Sequence, residues 1–353
     1  MNKNLGNIIR LIVFLSIGSA ILYFVYKEQS AQYISYCTGQ GNAREDCNLI
    51  SKIISDIKSA DIIWIILTII TYLLSNVSRA IRWKLLINSD SENVRTGNAF
   101  FATMIGYLAN LAIPRLGEFV RAGVISRYEK IDSAKVMGTV VTDRLLDLLC
   151  FGIAFGLGLV LASGQIIGYI NENASMPSIS TSFFLGMSAG LILLCIVVGL
   201  LFIKFKEHNI VKKVVEKIRQ FVAGILSIRK VKNLGGLIFH SINIWVMYYL
   251  MTFLPFYSFE ATSELGPVAG LLVFIFGGLG MILPAPGGIG TYHAMVIAGL
   301  SIYGISGPDA FSFAMIIFIA INILVNLLMG LLSLIILPLY NKNYKSVNAE
   351  IPE

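Results

Sequence analysis

Charge is scarce in this chain: Asp, Glu, Lys and Arg make up 13% of its 353 residues. Soluble domains carry about twice that share, so a body surrounded by water is excluded. The three histidines and four cysteines are too dispersed to suggest a metal site from spacing. No span shows the Ser, His and acid set of a hydrolase, and nothing implies a cofactor. The Gly-Gly-x-Gly stretch near residue 288 is no nucleotide loop, because no strand precedes it and no Lys-Ser/Thr follows. What fills the chain is apolar: 56% hydrophobic residues and a mean hydropathy of +0.77 give an all-α polytopic membrane protein. The net charge of +7 then records cytoplasmic loops and anionic lipid contact, and a nucleic-acid partner is discarded.

An apolar run from Ile8 to Tyr26 behind Lys3 and Arg10 reads as an uncleaved signal-anchor, with the N-terminus in the cytoplasm. A polar outer loop over 27–60 follows, in which Cys37 and Cys47 form a disulfide if it faces an oxidising compartment. A second span, Asp61 to Ser78, is closed by Arg79, Arg82 and Lys84, which place its end in the cytoplasm. The run from Gly97 to Ile113 is long enough to cross. A crossing would export Arg121, Arg127, Lys130 and Lys135, so 97–130 reads as a re-entrant hairpin bent near Pro114. Further spans are read at Val136 to Ser163, Phe183 to Ile203, Leu234 to Phe256 and Phe311 to Leu337. Gly152 and Gly156 are spaced for close helix contact in the first of these. Between them, 164–182 is an outer loop and 204–232, with nine Lys or Arg against two Glu, is an amphipathic helix on the inner leaflet. Of the 27 Lys and Arg residues, 22 fall on the cytoplasmic side in this arrangement, which puts the C-terminus there too.

The apolar run after Pro267 is broken at Leu-Pro-Ala-Pro-Gly-Gly-Ile-Gly-Thr-Tyr-His, 283–293. Two prolines and three glycines cannot continue a helix, and broken backbone at membrane depth survives only inside protein or beside water. Residues 113–117 (Ile-Pro-Arg-Leu-Gly) and 283–287 (Leu-Pro-Ala-Pro-Gly) repeat one pattern. The offset of 170 also carries the flanking spans onto each other. The expected fold is therefore about six full transmembrane helices plus two opposed re-entrant helical hairpins related as an inverted repeat, an arrangement that builds a midplane site in transporters. Within a single membrane domain, 1–60 holds the signal-anchor and outer loop and 61–163 the first repeat. Residues 164–233 hold the linking span and basic helix, 234–338 the inverted second repeat and 339–353 a cytoplasmic tail.

Asn110 to Arg121, Asp143-Arg144-Leu145-Leu146-Asp147 and Pro284-x-Pro-Gly-Gly-Ile-Gly-Thr together resemble the bacterial lysylphosphatidylglycerol synthase transmembrane region, a flippase-like, UPF0104-type membrane family. The resemblance runs from the second span onward. It implies a module of the bacterial inner membrane that moves lipids or lipid-linked intermediates between leaflets, and full-length synthases add a soluble aminoacyl-transfer domain for which no room is seen after the last span. His293 stands where members often carry an acidic residue. Either it faces substrate or a coupling ion, giving pH sensitivity near neutrality, or it packs beside Tyr292.

Each ionisable group at membrane depth costs about 2.5 to 3.5 kcal/mol and needs a reason. One reading has Arg115, Arg121 and Arg144 engage a lipid phosphate through paired guanidinium hydrogen bonds, with Glu118, Asp143 and Asp147 orienting them or accepting a proton. Glu118 and Arg121, three apart, share a helix face and can pair. The other reading has all six fasten the first hairpin to the following span. Gly287, Gly288, Gly290 and Thr291, with Pro284 and His293, would supply backbone approach from the second hairpin. The expectation is a non-enzymatic translocator of an anionic phospholipid or polyprenyl-phosphate-linked molecule. The alternative is a membrane scaffold for a lipid or glycan synthase.

Overall fold

The computed structural model describes residues 3–90, 92–173, 231–283, 285–344 and 346. These residues are helical, with no strand among them. They divide into two compact units, Met1–Ala162 with Lys230–Glu353, and Ser163–Arg229. Within the second, only helix α7 (Ser163–Asn173) is described, where an outer loop was expected. The expected span at 183–203, the basic helix at 204–232 up to residue 230, Pro284 and the end of the tail lie outside the described residues.

Helix α1 runs from Lys3 to Gly39, well past the expected end at Tyr26. Helix α2 (Leu49–Ser59) occupies the supposed polar loop, started by Asn48, whose side chain accepts from the amides of Ile50 and Ser51. Cys37 and Cys47 are disulfide-bonded between them. Helix α3 (Ile62–Ile87) is capped by Asp61, which stands outside the helix. It does not end at Ser78 but carries Arg79, Arg82 and Lys84 within it, because nothing in Ser-Arg-Ala-Ile-Arg-Trp-Lys disfavours helix.

Two helical hairpins follow the pattern of broken runs. In the first, α4 (Thr96–Ala112) packs along α5 (Leu116–Glu129), and Asn110 Oδ1 caps the new helix by accepting from Gly117 N at 2.7 Å. In the second, α9 (Pro267–Ile282) turns through a single 3-10 turn at Pro286–Gly288 into α10 (Thr291–Ser301). Gly287 and Gly290 have φ of 56° and 81°, in the left-handed region that glycine enters without a Cβ penalty. Thr291 Oγ1 ties the turn to α9 by donating to Gly280 O at 2.8 Å. The hairpins are flanked by α6 (Ser133–Leu161), α8 (Leu234–Phe253) and a helical run comprising α11 (Gly307–Phe318), a π-helical stretch Ile319–Leu327 and α12 (Leu328–Tyr340). Among the described residues, four helical segments, Ile62–Ile87, Ser133–Leu161, Leu234–Ser258 and Gly307–Tyr340, are long and apolar enough to cross a membrane. A methyl group on Gly152 or Gly156 would meet nothing within 4 Å, whereas one on Gly158 would clash with Ile275, so the close approach on α6 is at Gly158.

Two groups of loop contacts tie the ends of these helices. In one, Asp61 and Ser258 exchange hydrogen bonds of 3.3 and 3.1 Å, and Lys52 on α2 pairs with Asp309 at the start of α11 at 2.7 Å. Burial opposes the charge on Lys52, but its bonds to Asp309 and Asp56 prevail and raise its pKa. In the other, buried Glu129 accepts from Arg95 N, Asn98 Nδ2 and the Tyr344 hydroxyl at 2.9, 2.7 and 2.8 Å. Burial and the bond to Glu129 push the Tyr344 phenol up to about 12. Between these groups the hairpin turns meet: a methyl group on Gly287 would fall 2.9 Å from Leu111 Cδ2, beside the first break.

Candidate functional site

Helices α3, α5 and α6 converge on a cluster of seven charged side chains. Asp143 and Asp147 sit four residues apart on α6, and Arg79 and Arg82 face them from α3 three residues apart, so each pair shares one helix face. Arg82 Nε donates to Asp143 Oδ1 at 2.9 Å and Arg82 Nη2 to Asp147 Oδ1 at 2.6 Å, so one guanidinium bridges both carboxylates. Arg79 Nη1 pairs with Asp147 Oδ2 at 2.7 Å and reaches Asp143 Oδ2 at 3.5 Å. From α5, Arg121 Nη2 binds Asp143 Oδ2 at 3.1 Å, with its guanidinium 4.7 Å from the Trp83 ring centre. At the rim, Arg144 pairs with Glu118 Oε1 at 2.8 Å and with Asp147 Oδ2 at 3.4 Å. The Glu118–Arg121 pair that their spacing allows is not formed: each finds its opposite charge on α6, because the facing helix offers closer partners than the neighbouring turn.

The charge does not balance. Four guanidiniums, of Arg79, Arg82, Arg121 and Arg144, face the three carboxylates of Glu118, Asp143 and Asp147, a surplus of one positive charge. The interior is dry: the side chains of Arg82 and Asp143 are 0% exposed and those of Arg79 and Arg121 3%, whereas Arg144 is 39% exposed. Arg79 Nε, Arg82 Nη1, Arg121 Nε and Nη1 and Arg144 Nε are buried without a hydrogen-bond partner among the described residues. Buried donors left in this way are destabilising unless something accepts from them. A cluster with surplus guanidinium and unpaired N–H groups has the chemistry to accept an anion.

A neutral polar lining continues from it. Arg79 Nη2 donates to the Tyr248 hydroxyl at 3.3 Å, and that hydroxyl lies 3.5 Å from that of Tyr107. Tyr248 stacks on Tyr72, whose hydroxyl donates to Asn326 Oδ1 at 2.8 Å, and Asn326 Nδ2 donates to Asn322 Oδ1 at 3.2 Å. Both asparagines lie on the π-helical stretch, a distortion that recurs at functional positions.

Of the residues singled out from sequence, Glu118, Arg121, Asp143, Arg144 and Asp147 come together. Arg115 is exposed at the first break, with φ 65° in the left-handed region, which is unusual for a residue with a side chain. Gly287 approaches the first hairpin, Gly288 and Gly290 turn the second, and Thr291 is spent on holding that turn. His293 is fully buried among Tyr292, Phe311 and Phe318, its ring 4.8 Å from that of Phe318, and neither ring nitrogen has a partner among the described residues. It joins none of the ion pairs. Arg79 and Arg82 were read only as topological markers. Their three-residue spacing beside the Asp143/Asp147 pair was the available signal.

Comparison with known proteins places these motifs. A family model described as the lysylphosphatidylglycerol synthase TM region matches residues 49–329. A UPF0104 membrane protein of Methanothermobacter thermautotrophicus is 25% identical over 271 residues, covering 71% of this chain and 78% of the relative. One from Pyrococcus horikoshii is 27% identical over 289 residues, covering 76% and 85%. The glycosyltransferase AglD of Haloferax volcanii is 23% identical over 275 residues, covering 69% of this chain and 44% of that protein. No solved structure matches.

Proposed function

The chain belongs to the lysylphosphatidylglycerol synthase transmembrane-region family, and on that premise we propose that it moves a phosphate-bearing lipid between leaflets. The observation that carries this reading is the surplus guanidinium in the buried cluster, with its unpaired N–H groups. A lipid phosphate would supply the missing negative charge and accept two parallel hydrogen bonds from one guanidinium. Arg144, the most exposed of the four, makes the first contact, and Arg121 and Arg79 receive the phosphate further in. Glu118 and Asp147 hold Arg144 until it exchanges a carboxylate for the phosphate. No bond in the lipid is broken, so the role is that of a transporter rather than an enzyme.

The path is read as the space between two opposed re-entrant hairpins. In support, the ends of the first hairpin are tied to the C-terminal segment through Glu129, while the second leads into Asp309, which is tied to Lys52. The two turns meet at Leu111 and Gly287. Alternating separation of the hairpins on either side would expose the cluster to one leaflet at a time. The ligand is an anionic phospholipid or a polyprenyl-phosphate-linked molecule. Purified protein in liposomes should accelerate exchange of a fluorescent phospholipid between leaflets; absence of acceleration across several phosphate headgroups would refute transport. A second reading, a membrane scaffold for a lipid or glycan synthase, is favoured by the matched region of the relative named a glycosyltransferase, and it predicts capture of such an enzyme without any lipid exchange.

A further inference from the structure

Outside the buried cluster, α5 and α12 enclose an apolar groove of about 340 Å³, floored by Val120, Gly123 and Val124 on one side and Leu334, Leu337 and Pro338 on the other. Exposed Phe119 stands at one end and exposed Arg127 near the other. Past Pro338 the same helix end lines a second basin of about 410 Å³, shared by Arg95, Leu339, Tyr340, Lys342 and Tyr344. The two follow one another along the chain of α12, Leu334, Leu337 and Pro338 lining the groove and Leu339 and Tyr340 the basin, and Glu129 at the end of α5 accepts from the Arg95 amide at 2.9 Å. Arg127 thus lines the apolar groove, and Arg95 and Lys342 line the basin that follows it.

Arg95 is held in place. Its guanidinium sits 3.9 Å from the Tyr340 ring centre and 4.5 Å from that of Tyr344, and Nη1 donates to Tyr340 O at 3.4 Å. Glu129, which holds the Arg95 amide, is itself buried, accepting from Asn98 and Tyr344. The basin thus presents fixed positive charge at the end of a membrane helix, where aromatic residues mark headgroup level.

We infer that this surface is a binding site for one anionic phospholipid, with an acyl chain in the α5–α12 groove and its phosphate over Arg95, Arg127 and Lys342. A chain alone would leave the cations unused, and a free phosphate would leave the groove unfilled; a lipid satisfies both. Each buried methylene contributes about 0.8 kcal/mol, and each cation at the surface about fivefold in affinity for an anionic headgroup. The site stands apart from the translocation reading and does not need it. At its far end Phe119 adjoins Glu118, the partner of Arg144, so a lipid here would lie next to the cluster's exposed rim.

The test uses the full chain in detergent, titrated with phosphatidylglycerol or phosphatidylcholine of the same acyl chains and read by native mass spectrometry. Phosphatidylglycerol should be retained in preference. Gly123→Leu should fill the groove and lower that retention by about tenfold, the loss of roughly two methylenes of chain contact. A Cβ at Gly123 meets nothing within 4 Å, and leucine suits a helix better than glycine, so the variant should fold. The double variant R127Q/K342Q, on exposed side chains, should reduce the preference over phosphatidylcholine by about fivefold per cation. Unchanged retention by Gly123→Leu, equal retention of the two lipids by the unaltered protein, or displacement of the lipid by glycerol 3-phosphate at equal concentration would each overturn the proposal. Because retention is read rather than leaflet exchange, a failure of transport leaves this result standing.

Discussion

A cluster with one cation too many should respond asymmetrically to loss of charge. In Asp143→Asn the carboxylate that accepts from Arg82 at 2.9 Å, Arg121 at 3.1 Å and Arg79 at 3.5 Å becomes neutral, raising the surplus from one to two. Removing one partner of a buried ion pair costs about 3 to 5 kcal/mol, and three guanidiniums share this partner, so the upper end is expected. In Arg121→Gln the surplus falls to zero. That variant loses one charge-assisted hydrogen bond, about 1.5 to 3 kcal/mol, and the contact with Trp83, about 0.5 to 2 kcal/mol. Relief of repulsion from the remaining guanidiniums offsets part of this. The double variant restores the original balance and should be more stable than the sum of the singles. Equilibrium unfolding in mixed micelles measures all three. The charge argument is wrong if Arg121→Gln destabilises as much as Asp143→Asn. The same pair separates structure from function: Arg121→Gln should fold and lose lipid exchange.

Further expectations follow from other contacts. Gly290→Ala should cost about 1 to 3 kcal/mol, since φ is 81° and the new methyl would lie 2.7 Å from Leu22 N and 2.8 Å from Gly18 O; a thermal melt checks it. Reducing the Cys37–Cys47 bond, ten residues apart in sequence, should lower stability by about 3 kcal/mol on the loop-entropy relation, seen as a melting shift with reductant that is absent from the double Ser variant. The Tyr344 phenol is raised from 10.0 to about 12, so its hold on Glu129 is fully present below pH 10 and is lost as the pH rises through about 12. A fluorophore near the C-terminus should report release over that interval, and Tyr344→Phe should abolish the transition.

How much was legible from the chain varies with the range of the interaction. The breaks at Pro114 and at Pro286–Gly290 could be read directly, since proline and glycine disrupt a helix through their own covalent geometry. Helix ends were less accurate. The 27–60 segment looked like a loop because it is polar, yet α2 is an amphipathic helix with Leu49 and Ile53 buried. Gly152 and Gly156 had suitable spacing, but the rotation of α6 turns Gly158 toward its neighbour instead. His293 could be flagged but not placed, because an aromatic surround drawn from α11 is invisible in the local sequence.

The sequence by itself determined the membrane class, the helical content and the two broken hairpins, because composition and backbone preference act residue by residue. It also nominated five members of the charged cluster, since carboxylates and guanidiniums at membrane depth are conspicuous anywhere. Only the tertiary structure decided which charges meet. Arg79 and Arg82 stand more than sixty residues before Asp143, and their bonds exist because α3 and α6 pack with those faces turned together. Ion pairing falls off within a few ångströms, so helix rotation and contact decide it, and with it the surplus positive charge of the cluster.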